Sequence, residues 1–250
     1  MAQTVFSRYA KKYLMPEHVY RALRAALEAR MQVDQYGLHT ICNIYYDTPD
    51  DLLIRRSLEH PVYKEKLRLR SYGIPGPDSP VFLEIKKKYD NIVNKRRVQM
   101  TLEEAYRYVE QGRRPEPDCQ ILREIDFFLA RYPLCRRLYL AYDRIALFGR
   151  EDPDFRVTFD ANIRSRRTQM GLEDGDHGVL LLPEGTRLME SKIMGATPLW
   201  FSRILSRLNI YPTSFSKYGC VYRKEHGAWD YGAYMLHREE NWTERRKQIC

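Results

Sequence analysis

The sequence predicts an α+β fold, with one large antiparallel sheet closed into a β-barrel around a polar lumen and helices packed outside. Three observations lead there. Strand-like segments are spread along all 250 residues, whereas helical ones are few. Between Val62 and Arg97 the chain alternates at period two. Lys64, Lys66, Arg68 and Arg70 share one face of a first arm, with Glu65, Leu67 and Leu69 on the other. After the turn GIPGPDSP, a second arm groups Phe82, Glu84, Lys86 and Lys88, and a third carries Lys95 and Arg97. Rows of like charge facing one another across a sheet repel. Cations inside a barrel that holds a polyanion explain this inverted pattern; the plainer alternative is an open sheet with a solvated cationic face.

Taken in order, residues 4–14 (TVFSRYAKKYL) read as a first strand with Phe6, Arg8, Ala10 and Lys12 on one face. Pro16 opens a helix over 16–31, in which Val19, Leu23, Leu27 and Met31 recur at helical spacing. Residues 38–47 form the next strand, TPDD turns it, and LLIRRSLEHP is either a helical turn or an irregular connection. Beyond the cationic meander, Thr101 as N-cap, Glu104 completing a capping box and Gly112 as a stop define a helix. A second, amphipathic helix covers 119–131 and ends before Pro133. RRLYLAYDRIALFGR places Leu138, Leu140, Tyr142 and Arg144 on one face of a strand, and FRVTFDANIRSR sets Arg156, Thr158 and Asp160 in register. Two strands in GVLLLPEGTRLMESKIMG put Leu188, Glu190 and Lys192 together. Thr197-Pro198 caps a helix, and SFSKYGCVYRKEH supplies a last strand or strand entrance. One domain is expected over 1–226, followed by a charged, aromatic tail at 227–250 that is a peripheral helix or partly disordered.

Forty-two Lys and Arg against thirty-three Asp and Glu leave a net charge of +9, which implies an anionic partner. The five cysteines are scattered without zinc-ligand spacing, so reduced thiols are expected rather than a metal knot. No apolar run reaches the length of a membrane span and the N-terminus lacks the apolar stretch of a signal peptide. A cytoplasmic protein is expected. Walker, GxGxxG, HExxH and nucleophile-elbow motifs are absent.

The candidates for one lumen are Lys12, Lys66, Arg68, Arg70, Lys86, Lys95, Arg97, Arg144, Arg156, Lys192 and Lys217, with Glu84 and Glu190 among them. Arg offers a planar fork for phosphate oxygens and Lys a mobile point charge. The two carboxylates either pair with neighbouring lysines or hold a divalent metal together with substrate phosphates. Tyr142 is a core residue or a surface on which a base stacks, and Ser216-Lys217 is a weak signal alone.

The ordered series RYAKKY, KLRLRSYG, LEIKKK, NKRR, AYDRIA, FRVTFD, LMESK and SFSKYG resembles the polyphosphate polymerase domain of the vacuolar transporter chaperone (VTC) family, over residues 4–225. That domain belongs to the triphosphate tunnel metalloenzymes of the CYTH-like superfamily. The resemblance implies a barrel forming a basic tunnel, with ATP and inorganic polyphosphate as partners and Mn²⁺ or Mg²⁺ as cofactor. The implied reaction moves the γ-phosphate of ATP onto a growing polyphosphate chain and releases ADP. Lys12, Arg68, Arg70, Lys86 and Lys217 would be catalytic, and Lys95, Arg144 and Arg156 would bind phosphate, joined by Lys66, Arg97 and Ser216. Glu190 would hold the metal and Tyr142 would pack on the adenine. Where many tunnel enzymes carry a first-strand glutamate in an ExExK pattern, this chain has Ala10. That departure argues against a two-metal triphosphatase and leaves Glu190 as the main ligand. The alternatives are a metal-dependent tripolyphosphatase or nucleoside triphosphatase on the same fold, and a non-catalytic polyphosphate-binding module. Nucleic acid is disfavoured, because the charges alternate on strands instead of clustering with exposed aromatics.

Overall fold

The computed structural model describes residues 9–90 and 92–235, so the expected strand residues 4–8 and the tail from 236 onward lie outside the described residues. In the cationic meander, β4 (Tyr63–Tyr72), β5 (Pro80–Tyr89) and β6 (Ile92–Thr101) pair antiparallel, with the predicted cations on one face. Lys66 stands opposite Lys86, which stands opposite Lys95. Arg68 stands opposite Glu84, which stands opposite Arg97. The other face buries Leu67, Leu69, Leu83 and Ile85 against α3 (Leu102–Gln111) and α4 (Gln120–Arg131), with Tyr108 and Phe128 completing this core. Each large apolar side chain so buried contributes about 1.5–3 kcal/mol. The start of α3 follows the capping box: Thr101 Oγ1 accepts the Glu104 N–H at 3.2 Å, and Glu104 accepts the Thr101 N–H at 2.8 Å. Gly112 ends the helix at φ 70°, a left-handed conformation that glycine adopts without a steric cost.

The sheet continues through β3 (His39–Asp47), β7 (Cys135–Gly149), β8 (Arg156–Arg166), β10 (Arg187–Ile193) and β1 (Tyr9–Met15), giving the order β1-β10-β8-β7-β3-β4-β5-β6. Short strands β2 (Met31–Val33) and β9 (Val179–Leu180) pair with β7 and β8. Outside this half, α1 (Glu17–Leu27) and α5 (Leu199–Arg207) bury Leu23, Leu27 and Phe201 against Val157, Phe159 and Met189. A third core fills part of the inner face. There α2 (Leu52–Leu58) and α6 (Lys217–Glu225) set Ile54, Tyr218 and Val221 against Ile41, Leu138 and Leu140. Trp229, Tyr231 and Tyr234 pack against it from the start of the predicted tail, where residues 231–235 are helical. No helix among the described residues is long and apolar enough to cross a membrane.

Three expectations need correction, and one open reading is resolved. The sheet curls into a half-barrel and does not close. Strands β1 and β6 are its two ends, and the free side of β1 is taken by Thr213, whose N–H donates to the Lys12 carbonyl at 2.7 Å. The first helix stops at Leu27, because Met31 is drawn into β2 opposite Gly149. LLIRRSL is a helix, α2, whose N-terminal amides of Leu53 and Ile54 donate to the Asp47 carboxylate at 2.8 and 2.9 Å. The stretch read as a last strand is α6. Ser216 caps it by accepting the Gly219 N–H at 3.3 Å, and Gly219 lets it lie against α2. A Cβ at Gly219 would sit 2.9 Å from the Leu58 side chain.

Candidate functional site

Alternation along the strands delivers the strand-borne cations to one concave face, and Lys217 joins them from the start of α6. On the β4–β6 wall, Glu84 is 1% exposed and is held by Arg68 at 2.6 Å, Lys95 at 2.6 Å and Arg70 at 3.9 Å. Burial alone would raise its carboxyl, but these three cations overturn that and keep it well below the usual carboxylate range. Arg70 is itself positioned: its Nε donates to Asn43 at 3.0 Å and an Nη donates to the Tyr142 hydroxyl at 3.1 Å. Asn43, fully buried, is fixed in turn by donating to the Leu140 carbonyl at 2.9 Å. Arg68 also reaches the Tyr45 hydroxyl at 3.3 Å.

On the opposite wall Asp160, also 1% exposed, accepts two hydrogen bonds from Arg144 (2.6 and 2.8 Å) and one from Lys217 (2.6 Å). Burial again pushes its carboxyl up, and the two cations again bring it far down. Lys12 donates to the Phe215 carbonyl at 2.5 Å, which ties β1 to the segment leading into α6. Lys217 opens α6, and the Tyr218 hydroxyl anchors that helix by bonding Asp47 and Asp51 at 3.1 Å each. Glu190 differs from the other two carboxylates. It is 20% exposed, and its nearest cation is Lys192 at 3.7 Å. Burial would raise it; Lys192, Lys12, Lys217 and Arg144 bring it down to about 2. It is therefore ionised at neutral pH, and no side chain among the described residues donates a hydrogen bond to it.

Lys66 and Lys86 have no carboxylate at ion-pair distance among the described residues. Desolvation inside the concavity, together with Lys86, Lys64 and Lys12, lowers Lys66 to about 7. Desolvation, with Lys12 and Arg68, lowers Lys86 to about 8. Lys12 on β1 and Lys86 on β5 thus act on each other across the concavity although their strands are not paired. The half-barrel is curled enough to make one site of two walls.

Most of the predicted residues are brought together, but several take other positions. Arg97 and Arg156 are exposed at the margins, Arg97 lying 4.7 Å from the Phe82 ring centre and Arg156 cross-strand from Lys192. The Ser216 hydroxyl is engaged as the cap of α6. Tyr142, expected to pack on adenine, is 2% exposed, with Lys217 Nζ 4.3 Å and the Arg144 guanidinium 5.0 Å from its ring centre. Burial would raise its phenol, yet Arg144, Arg70 and Lys217 lower it to about 8. Sequence reasoning missed the roles of Asp160, Asn43 and Tyr45. Only Asp160 left a trace, by sharing the face of Arg156 and Thr158 in FRVTFD.

No cluster of three or more His, Cys, Asp or Glu side chains suited to a metal occurs among the described residues. With Glu84 and Asp160 consumed by cations, Glu190 is the carboxylate left to bind one. Beside it, the cross-strand neighbour Thr158 has a buried hydroxyl with no hydrogen-bond partner among the described residues. One carboxylate with a hydroxyl alongside fits a divalent ion that takes its remaining ligands from substrate oxygens and water, as magnesium does.

A family model described as the VTC domain matches residues 7–226. Among solved structures, a Bacillus halodurans protein named as a candidate adenylate cyclase aligns at 14% identity and a TM-score of 0.54, covering 86% of this chain and 96% of its own. A Hippeastrum candidate adenylyl cyclase, described by a dominant triphosphatase activity, aligns at 12% identity and a TM-score of 0.51, covering 89% of this chain and 97% of its own. At such identities the likeness is one of fold. No curated protein matches the chain in sequence.

Proposed function

The chain belongs to the VTC-domain family, with the triphosphate tunnel fold, and from that premise we propose that it extends inorganic polyphosphate at the expense of ATP. The observation that carries this reading is the surplus of cations in the concavity. Glu84 and Asp160 each bind two or more cations, yet Lys66 and Lys86 remain without a carboxylate. A chain of phosphates supplies the missing negative charge.

In this reading Lys12, Arg68, Arg70, Lys86 and Lys217 hold and align the reacting phosphates, while Lys66, Lys95, Arg97, Arg144 and Arg156 guide the rest of the chain. Glu84 and Asp160 are positioning residues that fix the cation forks. Tyr142 serves the same end by accepting from Arg70. A terminal polyphosphate oxygen attacks the γ-phosphorus of ATP, the β–γ bridge breaks, and ADP departs. Such transfer needs alignment and charge neutralisation more than side-chain chemistry, so no protein nucleophile is required. Glu190 would hold Mn²⁺ or Mg²⁺, which supplies charge stabilisation to the phosphoryl oxygens. Ala10 and the engagement of Glu84 and Asp160 leave one carboxylate for metal. That favours transfer over a hydrolase built on two metals.

The test is the full chain with ATP and Mn²⁺, with and without a short polyphosphate primer, resolved on a gel that separates polymer lengths. A lengthening ladder with one ADP released per phosphate added is expected. Glu190→Gln should lose this turnover while still binding polyphosphate. Phosphate release without polymer would assign the protein to the hydrolases, and binding without turnover would make it a polyphosphate-binding module.

A further inference from the structure

The half-barrel leaves its two edges in different states. The free side of β1 is taken by the Thr213 segment. Strand β6 pairs with β5 alone, and among the described residues no other backbone group bonds to residues 92–100. Ile92, Val93, Asn94, Lys95, Arg97 and Gln99 are all exposed. An uncovered edge of this kind, about 30 Å long, presents a row of N–H and C=O groups that a further strand can complete.

The side chains along the edge select the strand that fits. Lys95, Arg96 and Arg97 are consecutive, so cations stand on both faces of β6. Lys95 reaches Glu84 at 2.6 Å and Arg96 reaches Glu124 at 3.4 Å, both carboxylates lying on the side of β6 that the protein already covers. Arg97 has no carboxylate at ion-pair distance among the described residues; its guanidinium lies 4.7 Å from the Phe82 ring centre. A second copy is a poor occupant. Two β6 strands paired about a two-fold axis at Arg96 would set Arg96 against Arg96 and Lys95 against Arg97, and like charges facing across a sheet repel. Val93, on the same face as Lys95 and Arg97, adds an exposed apolar side chain at one end.

We propose that β6 accepts, by strand addition, an extended acidic segment of a partner protein. Two carboxylates at alternate positions would face Arg97 and Lys95, and an apolar residue two positions further along would face Val93. In such pairing the main-chain bonds give affinity, and the alternate side chains give specificity. The inference draws on the sheet edge and does not rest on the phosphate reading.

The probe is the capped peptide Val-Thr-Glu-Thr-Glu-Thr-Val, which reads the same in both directions and so suits parallel and antiparallel addition alike. Its binding to the full chain is measured by titration calorimetry. Two further copies are N-methylated at every second residue, one in each phase, and a third replaces both Glu by Gln. The unmodified peptide should bind, and at least one N-methylated copy should bind about tenfold or more weakly, because it loses main-chain donors and keeps its charge. The Gln copy should also bind about tenfold more weakly, as should the unmodified peptide to Arg97→Glu. Equal binding by both N-methylated copies would mean that charge alone draws the peptide to the concavity, and would overturn strand addition. Absence of binding at about 1 mM peptide would overturn it as well. A free chain that sediments as a dimer, and that the peptide converts to a monomer, would assign the edge to a second copy and overturn the acidic partner.

Discussion

Asp160 shows how much of the site depends on single buried charges. It takes the fork of Arg144 and the ammonium of Lys217 while only 1% exposed. Removing one member of such a buried group leaves the others uncompensated, typically at a cost of about 3–5 kcal/mol. Asp160→Asn should therefore lower the unfolding free energy by about that amount in urea titration; a loss below about 1 kcal/mol would mean that solvent already screens the group. At this scale the sequence was legible in part. The cations of β4–β6 were readable because alternation alone decides their face. Asp160 was placed on the correct face, but its partners lie 16 and 57 residues away and no local pattern announces them. The surroundings of Tyr142 were hidden for the same reason. Its position two residues before Arg144 is visible in the sequence, whereas the Lys217 that covers its ring arrives from another element.

The elements divide along the same line. Helix α3 was predictable from Thr101, Glu104 and Gly112 because a capping box and a glycine stop act within one turn of the chain. Thr101→Ala should cost about 1 kcal/mol in chemical denaturation. It should leave turnover per folded molecule unchanged, since α3 lies on the outer face away from the cations. A fall in turnover would place the β6–α3 junction in the site. Helix α6 was not predictable. KYGCVYRKE has a glycine in its third position and strand-favouring residues around it, so its local preference is extended. Three non-local contacts overrule that preference: the close approach to Leu58 that Gly219 permits, and the bonds from Tyr218 to Asp47 and Asp51. This is also how Lys217 reaches the site, from a helix start instead of a strand.

For the whole molecule, the inversion of cations inward and apolar side chains outward correctly implied a curved sheet with a polar concavity, flanked by two outer cores. Closure was not legible. It depends on whether the edges of β1 and β6 meet, and the Thr213 segment occupies the edge of β1 first. The concavity concentrates more positive charge than its carboxylates offset, so the free protein should be strained by it and relieved by a polyanion. The sign follows from the lysines. Lys66 and Lys86 are lowered to about 7 and 8 in the fold, against about 10.4 in an unfolded chain. Above pH 7 the unfolded chain therefore holds protons that the fold has released, and stability rises with pH there. The most direct measurement is the melting temperature of the full chain at pH 6 and pH 8, with and without inorganic tripolyphosphate. The free protein should melt on the order of 3–5 °C higher at pH 8. Tripolyphosphate should raise the melting temperature at both pH values and flatten the difference between them, because the bound anion keeps the lysines protonated. A melting temperature indifferent to tripolyphosphate, or one that falls from pH 6 to pH 8 in the free protein, would contradict a concavity built for a chain of phosphates.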